Sequence, residues 1–249
     1  MVKYLKNIRP ESVFTHFLYI SINALLPVIV FGLVRLEFIL VAIIIVILSK
    51  WRMFAVKPRY WLVNLRSNLV DIFVGLSMVA FMAGTHNIIT QLVWTILYIA
   101  WLVWLKPKSK PIPVMFQALI AQTLGVIAFY AAFPNVGIHW AVITVWLVCY
   151  SSARHFLGAF DDDNARQLTH VWAWFGAGLA WILGHWVIYY FSIPQIALVL
   201  AVISYGISVI YYLHYKHRLK STIKNQIIAF MFIILLIIIV FSDWQYKTI

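Results

Sequence analysis

Arg154, His155, Asp161, Asp162, Asp163, Arg166 and His170 fall within seventeen consecutive residues of a chain that is 64% apolar. The three aspartates are nearly half of its seven acidic residues. These types suit phosphate chemistry. Adjacent carboxylates, with water and a substrate phosphate, hold Mg²⁺, which rarely takes an all-protein cage. Arginines fork onto phosphate oxygens, and a histidine supplies a general base near neutral pH. The expected roles are therefore acid–base work for His155 and His170, Mg²⁺ binding for Asp161, Asp162 and Asp163, and phosphate binding for Arg154 and Arg166. A plainer reading stands beside this one: the aspartates immediately precede a predicted helix, where one caps it and the others meet the positive end of its dipole. A His-Asp-His zinc site is a third arrangement, with loose spacing. Asp-Asp-Asp-Asn-Ala-Arg shares positions with the Asp-Gly-x-x-Ala-Arg of CDP-alcohol phosphotransferases but lacks its glycine and the later Gly-x-x-x-Asp-x-x-x-Asp. The aspartate-rich motifs of UbiA prenyltransferases are missing too.

Composition says what must position these groups. A mean hydropathy of +0.94 with 10% charged residues is far from a soluble domain, which carries about 25% charge. The expectation is an all-α, polytopic transmembrane bundle forming a single integral membrane domain over 1–249. The first apolar run is too long for a signal h-region, which predicts no cleavable leader. One cysteine, Cys149, gives no disulfide and no cysteine-based metal site. The net charge of +12 reads as positive-inside topology and attraction to anionic lipid headgroups, not as a nucleic-acid footprint.

Nine spans are predicted, at 13–34, 37–50, 67–84, 87–105, 112–132, 137–159, 166–190, 195–214 and 225–242. The second falls short of the roughly 20 residues that a perpendicular crossing needs. With the N-terminus cytoplasmic and the C-terminus outside, seventeen of the nineteen basic residues lie inside, leaving Arg35 and Lys247 outside. The charged hairpin between spans six and seven is then cytoplasmic, and the protein belongs in the cell membrane.

Helical phase refines the candidates. Asn64, Asn68, Asp71 and Gly75 share one face of span three. A carboxylate at the bilayer centre costs about 2.5–3.5 kcal/mol, less near the interface, so Asp71 needs a cation, a proton or a water cavity. Arg154 is the expected cation across helices, and Asp71 also joins the candidate catalytic set. The loop from Lys50 to Trp61 alternates basic with aromatic residues. This suits an interfacial segment; its Lys57 and Arg59, with Arg66 just before span three, are the candidate binders for a phosphorylated lipid. Lys50 with Lys57-Pro58 touches the first motif of type-2 phosphatidic acid phosphatases, whose Pro-Ser-Gly-His is missing here.

Spans six and seven each carry a small or polar stripe: Gly137, Ala141, Thr144, Val148, Ser151 and His155, against Arg166, His170, Ala173, Ala177, Ala180 and Gly184. Close packing of the two stripes is expected to bring His155 and His170 together. A second pair, His139 and His185, suggests a dihaem site. His139 and His155 are about 160° out of phase, which argues against haem. Retinal needs a lysine within a late span, and spans six to nine have none. Polar faces also occur on span four (Asn87, Gln91, Thr95, Tyr98) and span five (Ala118, Ala121, Gln122, Gly125). Span nine is apolar and expected at the periphery.

The segments Lys50–Arg59 and Ser152–Asp161 resemble parts of uncharacterised multi-pass membrane proteins of Saccharibacteria-type episymbiotic bacteria. That resemblance implies a bacterial source and no chemistry. Three functions remain in view. One is binding or processing of a phosphorylated or lipid-linked substrate at the cytoplasmic face. The second is a transporter or channel lined by His16, Asn23, Asn68, Asp71, Gln91, Gln122 and Thr144. The third is a non-catalytic scaffold or subunit with a protein partner in the membrane.

Overall fold

The computed structural model describes residues 13–51, 55, 57–160, 162–185, 189–190 and 193–243, with the side chains of 13–19, 62–63 and 66–67 outside that description. Nine α-helices occur among the described residues. They are α1 (Val13–Arg35), α2 (Ile39–Leu48), α3 (Trp61–Ala83), α4 (Ile88–Ala100), α5 (Pro111–Ala132), α6 (Ile138–Leu157), α7 (Ala165–Gly184), α8 (Gln195–Tyr215) and α9 (Ser221–Phe241). Four helical stretches, Ile88–Leu105, Pro111–Ala132, Gln195–Tyr215 and Ser221–Phe241, are long and apolar enough to cross a membrane.

Two differences from the predicted spans have physical causes. The second element is a helix of only ten residues, about 15 Å long at 1.5 Å per residue, or half of a hydrocarbon core. It ends at Ser49-Lys50, where the Ser49 hydroxyl donates to the Val46 carbonyl at 2.6 Å. The seventh ends at Gly184, six residues before the expected 190. Tyr189–Tyr190 (β1) and Ile193–Pro194 (β2) then pair as a short antiparallel ribbon. Aromatic and β-branched residues favour a pleated ribbon, and Pro194 precedes the new helix. The amide of Asp243, just past α9, donates to the Tyr189 carbonyl at 2.9 Å, tying the end of α9 to this ribbon.

The helices pack as two groups joined by α3 against α5. The first, α1 to α4, closes on Val30, Val46, Val74, Met82, Tyr98 and Leu102. Gly75 of α3 makes its close approaches possible. A Cβ there would lie 2.6 Å from Val46 Cγ1 and 2.7 Å from the Tyr98 hydroxyl. The turn between α1 and α2 is tight, with Glu37 at φ 66°, and Arg35 Nη1 reaches the His86 carbonyl at 3.0 Å.

The second group is α5 to α8, and α6–α7 is its most extensive contact. A Cβ on Gly176 would sit 2.5 Å from Cys149 Sγ, so the two backbones meet only because that position is glycine. The expected α7 stripe is present at Ala173, Ala177, Ala180 and Gly184, all buried. Its charged end is not: Thr169 and Ala165 continue the buried face, while Arg166 is exposed and His170 only half-buried. Counting back by four from Ala173 reaches Thr169, so His170 falls on the flank. On α4 Gln91, Thr95 and Tyr98 of the predicted face are buried, while Asn87 is exposed and caps the helix, accepting from the Ile89 amide at 2.9 Å; Ala118, Ala121, Gln122 and Gly125 on α5 are buried. Helix α9 packs chiefly on α8 and buries only Ile238, as a peripheral helix should.

Candidate functional site: a lysine–aspartate centre beside a truncated helix

The charged centre assembles around Asp71, which is 13% exposed. Lys50 Nζ lies 3.1 Å and Lys106 Nζ 3.0 Å from the same Oδ2. The indole Nε1 of Trp101 donates to Oδ1 at 3.3 Å. Two cations thus share one anion, and the cluster carries a net positive charge. Lys50 is itself buried. A carboxylate taken out of water is held by charge and hydrogen bonds together, as a buried charge requires.

Local structure explains how three distant segments converge. Because α2 is short, its end places Lys50 level with the middle of α3, where Asp71 sits. The fourth helix continues into a π-helical turn at Trp101–Leu105, in which the Lys106 amide donates to the carbonyl five residues back, Trp101 O, at 2.9 Å. A π turn inserts an extra residue into helical register and recurs at functional sites. Here it lets Trp101 face Asp71 while Lys106, one turn further on, extends its long stem back to the same carboxylate.

The carbonyls freed at the end of the π turn are satisfied by Gln117 of α5. Its Nε2 donates to Leu105 O at 2.6 Å and to Lys108 O at 2.9 Å. With the amide nitrogen committed, Gln117 Oε1 is an acceptor, so His155 Nε2–H donates to it at 2.8 Å. The histidine therefore braces the loop that carries Lys106, instead of presenting that nitrogen to a substrate.

A recess of about 430 Å³ opens beside the end of α2. Ser49, Lys50, Trp51, Asn68 and Lys106 supply its polar and charged wall. Ile22, Leu25 and Ile29 of α1 supply an apolar wall, with Asn23 among them. All three of those apolar side chains are exposed on the outside of the bundle. The recess is thus amphiphilic, with cations at one side and the exposed apolar face of α1 at the other.

The predicted hairpin residues make separate contacts. The cations on Asp71 are Lys50 and Lys106, so the expected Arg154 partnership is corrected; Arg154 is exposed. His155 turns to Gln117 on α5, whereas His170 lies against the Tyr150 ring, with centroids 5.3 Å apart. Asp162 accepts from the Tyr211 hydroxyl of α8 and from the Asn164 amide at 2.9 Å. The Tyr211 bond first, then the Asn164 amide, holds the Asp162 carboxyl below the usual aspartate range. Asp163 and Arg166 are exposed. Asp161 lies outside the described residues, as does the side chain of Arg66. Among the described residues no three His, Cys, Asp or Glu side chains gather as a metal site would require. Lys57 and Arg59 are exposed at a 3-10 turn, Pro58–Tyr60, where the Arg59 guanidinium stacks over Tyr60 at 4.6 Å.

Several residues expected to line a transport path are spent on helix ties. Gln91 Nε2 donates to Met82 O and Thr85 O at 3.1 and 2.7 Å. Gln122 Nε2 donates to Ser204 Oγ at 2.6 Å, and Trp172 Nε1 donates to Gln122 Oε1 at 2.9 Å. Asn23 and Asn68 do line the recess. His16 lies where side chains are not described. Lys50 and Lys106 were missing from the predicted site. The signal for them was the short second apolar run, which ends in a lysine. No protein-family model matches the chain, and comparisons with curated proteins and with solved structures find no match.

Proposed function

We propose that this is a multi-pass protein of the cell membrane that binds an anionic, phosphorylated lipid headgroup in the recess beside α2, at the cytoplasmic face. The observation that carries the reading is the pairing of two lysines with one aspartate on the wall of an amphiphilic recess. The surplus positive charge is offset by a bound anion, and lysine is a strong point-charge binder of phosphate. The exposed apolar residues of α1 give the lipid's hydrocarbon chain a surface to follow.

In this reading the helices other than α2 cross the bilayer, and the basic segments lie on the cytoplasmic side. Helix α2 accounts for about half of one crossing, and the recess at its end opens toward the cytoplasmic side, where polar backbone bordering a cavity is tolerated. The hairpin between α6 and α7 serves as a brace through His155 and Asp162.

The test is lipid selectivity of the purified chain in nanodiscs, read by native mass spectrometry with phosphatidic acid against phosphatidylcholine. Replacing both lysines, K50M with K106M, should cut the preference for phosphatidic acid by about ten- to a hundredfold, the worth of one or two charged hydrogen bonds. An unchanged preference in the double variant would defeat the reading.

A further inference from the structure

The recess beside α2 is larger than a phosphate needs. Its volume of about 430 Å³ would hold on the order of ten waters, and a bare phosphate, with four oxygens each about the size of a water, fills roughly a third of it. The remaining space falls to whatever is esterified to the phosphate. The charge is limited as well. Two ammonium groups share one carboxylate, so the centre has one surplus positive charge. A phosphodiester, with its single negative charge, balances it.

Beyond the lysines, the polar groups on the wall are uncharged. Asn23, Ser49, Trp51 and Asn68 line the recess, and none of the described lining residues is acidic. Asp71 pairs with both lysines without reaching the wall. Ser49 is the residue that ends α2, and it is exposed. Its hydroxyl proton goes to the Val46 carbonyl at 2.6 Å, so its lone pairs serve as acceptors. Trp51 is 60% exposed, and its indole N–H only donates, whereas side-chain amides both donate and accept. Such a wall matches hydroxyl groups, which also donate and accept. It does not match choline or ethanolamine, because an ammonium there meets two lysines and no carboxylate.

We infer that the lipid held beside α2 is an anionic phosphodiester whose headgroup ends in uncharged hydroxyls, with Ser49 accepting from one of them. This rests on the reading of the recess as a headgroup site. Glycerol and inositol headgroups share this chemistry.

The test titrates the full chain in detergent with five lipids of matched acyl chains and reads apparent affinities by native mass spectrometry. The lipids are phosphatidylglycerol, phosphatidylinositol, phosphatidylmethanol, phosphatidylethanolamine and phosphatidylcholine. Phosphatidylmethanol carries the same single charge with no hydroxyl, so it isolates what the end of the headgroup contributes. The glycerol or the inositol lipid should bind at least about threefold tighter than phosphatidylmethanol, near the low end of one neutral hydrogen bond's worth. Whichever binds tighter identifies the source. The variant S49A should shrink that advantage by at least about twofold, and K50M with K106M should remove the preference of all three anionic lipids over phosphatidylcholine. The lipid comparison is made on the unaltered protein, so it stands even where a variant folds poorly. Phosphatidylmethanol matching both polyol lipids, with all three ahead of phosphatidylcholine, overturns this inference and leaves the headgroup reading standing. Phosphatidylmethanol binding no tighter than phosphatidylcholine overturns both. Phosphatidylethanolamine ahead of the polyol lipids, a folded S49A variant with the full advantage, or an anionic preference that survives loss of both lysines would each overturn the inference too.

Discussion

Replacing Asp71 by asparagine removes the charge that Lys50 and Lys106 share and keeps the shape. The two lysines are then left facing each other at the end of α2. Lys50 is 9% exposed and Lys106 is 30% exposed, so they do not suffer equally. Lys106 can turn its ammonium toward the recess and recover part of its hydration. Lys50 cannot, and it bears most of the loss. Breaking a buried ion pair by deleting one partner costs about 3–5 kcal/mol, against at most about 1 kcal/mol for an exposed pair. The expected destabilisation for D71N is therefore at the lower end of that range, about 3 kcal/mol. At a few degrees per kcal/mol for a chain of this size, the midpoint of thermal unfolding should fall by about 6–12 °C. The assay is thermal unfolding of the purified protein in mild detergent, checked by equilibrium unfolding in mixed micelles. The single variant K50M should cost less, because Lys106 still neutralises Asp71. The double variant of K50M with D71L should recover most of the loss, since apolar replacement of a buried pair is often neutral. A D71N midpoint within about 2 °C of the unaltered protein, the size of an exposed pair's contribution, would refute the claim that the centre is buried and paired.

Further tests address the supports of this centre. W101F keeps most of the ring's packing but loses the indole donor to Asp71; unfolding in mixed micelles should show a loss of about 1.5–3 kcal/mol, as for other hydrogen bonds to charged groups. G176A pushes a methyl into Cys149 and should cost about 1–3 kcal/mol, with C149A suppressing part of the loss in a double-mutant cycle; strict additivity would contradict the close α6–α7 approach. The hairpin should respond to acid. The Asp162 carboxyl is held below its ordinary value by Tyr211 first, and then by the Asn164 amide. Its contribution is thus present above the unfolded value of about 4 and is lost as pH falls through the lower folded value. Hydrogen exchange in the hairpin should rise in that acid window, and Y211F should bring the rise to higher pH; an identical profile in the variant would count against the contact.

Much of the helix packing was legible in residue spacing. The faces around Gln91 and Thr95, around Ala118 and Gln122, and from Ala173 to Gly184 were legible as stripes because helical phase is a local property. The need of Asp71 for a counter-charge was legible too, from the cost of a carboxylate in lipid. Which cation answers it was not. Arg154 was the nearer guess by charge and side of the membrane. The actual partners depend on where α2 stops and on a π turn at Trp101, neither of which leaves a mark in a period of 3.6 residues. Lysine stems are also long enough to reach across a helix boundary, so spacing alone does not fix their target. The hairpin misled in the same way. Arg166 and His170 continue the stripe by steps of four and three, while the buried phase set by Ala173 runs through Thr169 and Ala165.

What occupies the recess beside α2 decides whether the lysine–aspartate centre binds a lipid headgroup. Electron cryomicroscopy of the protein in nanodiscs containing phosphatidic acid measures this. Headgroup density within about 4 Å of Lys50 Nζ or Lys106 Nζ, ion-pair distance, with an acyl chain along Ile22, Leu25 and Ile29, is the predicted result. An unoccupied recess, with ordered lipid bound elsewhere on the bundle, would contradict it.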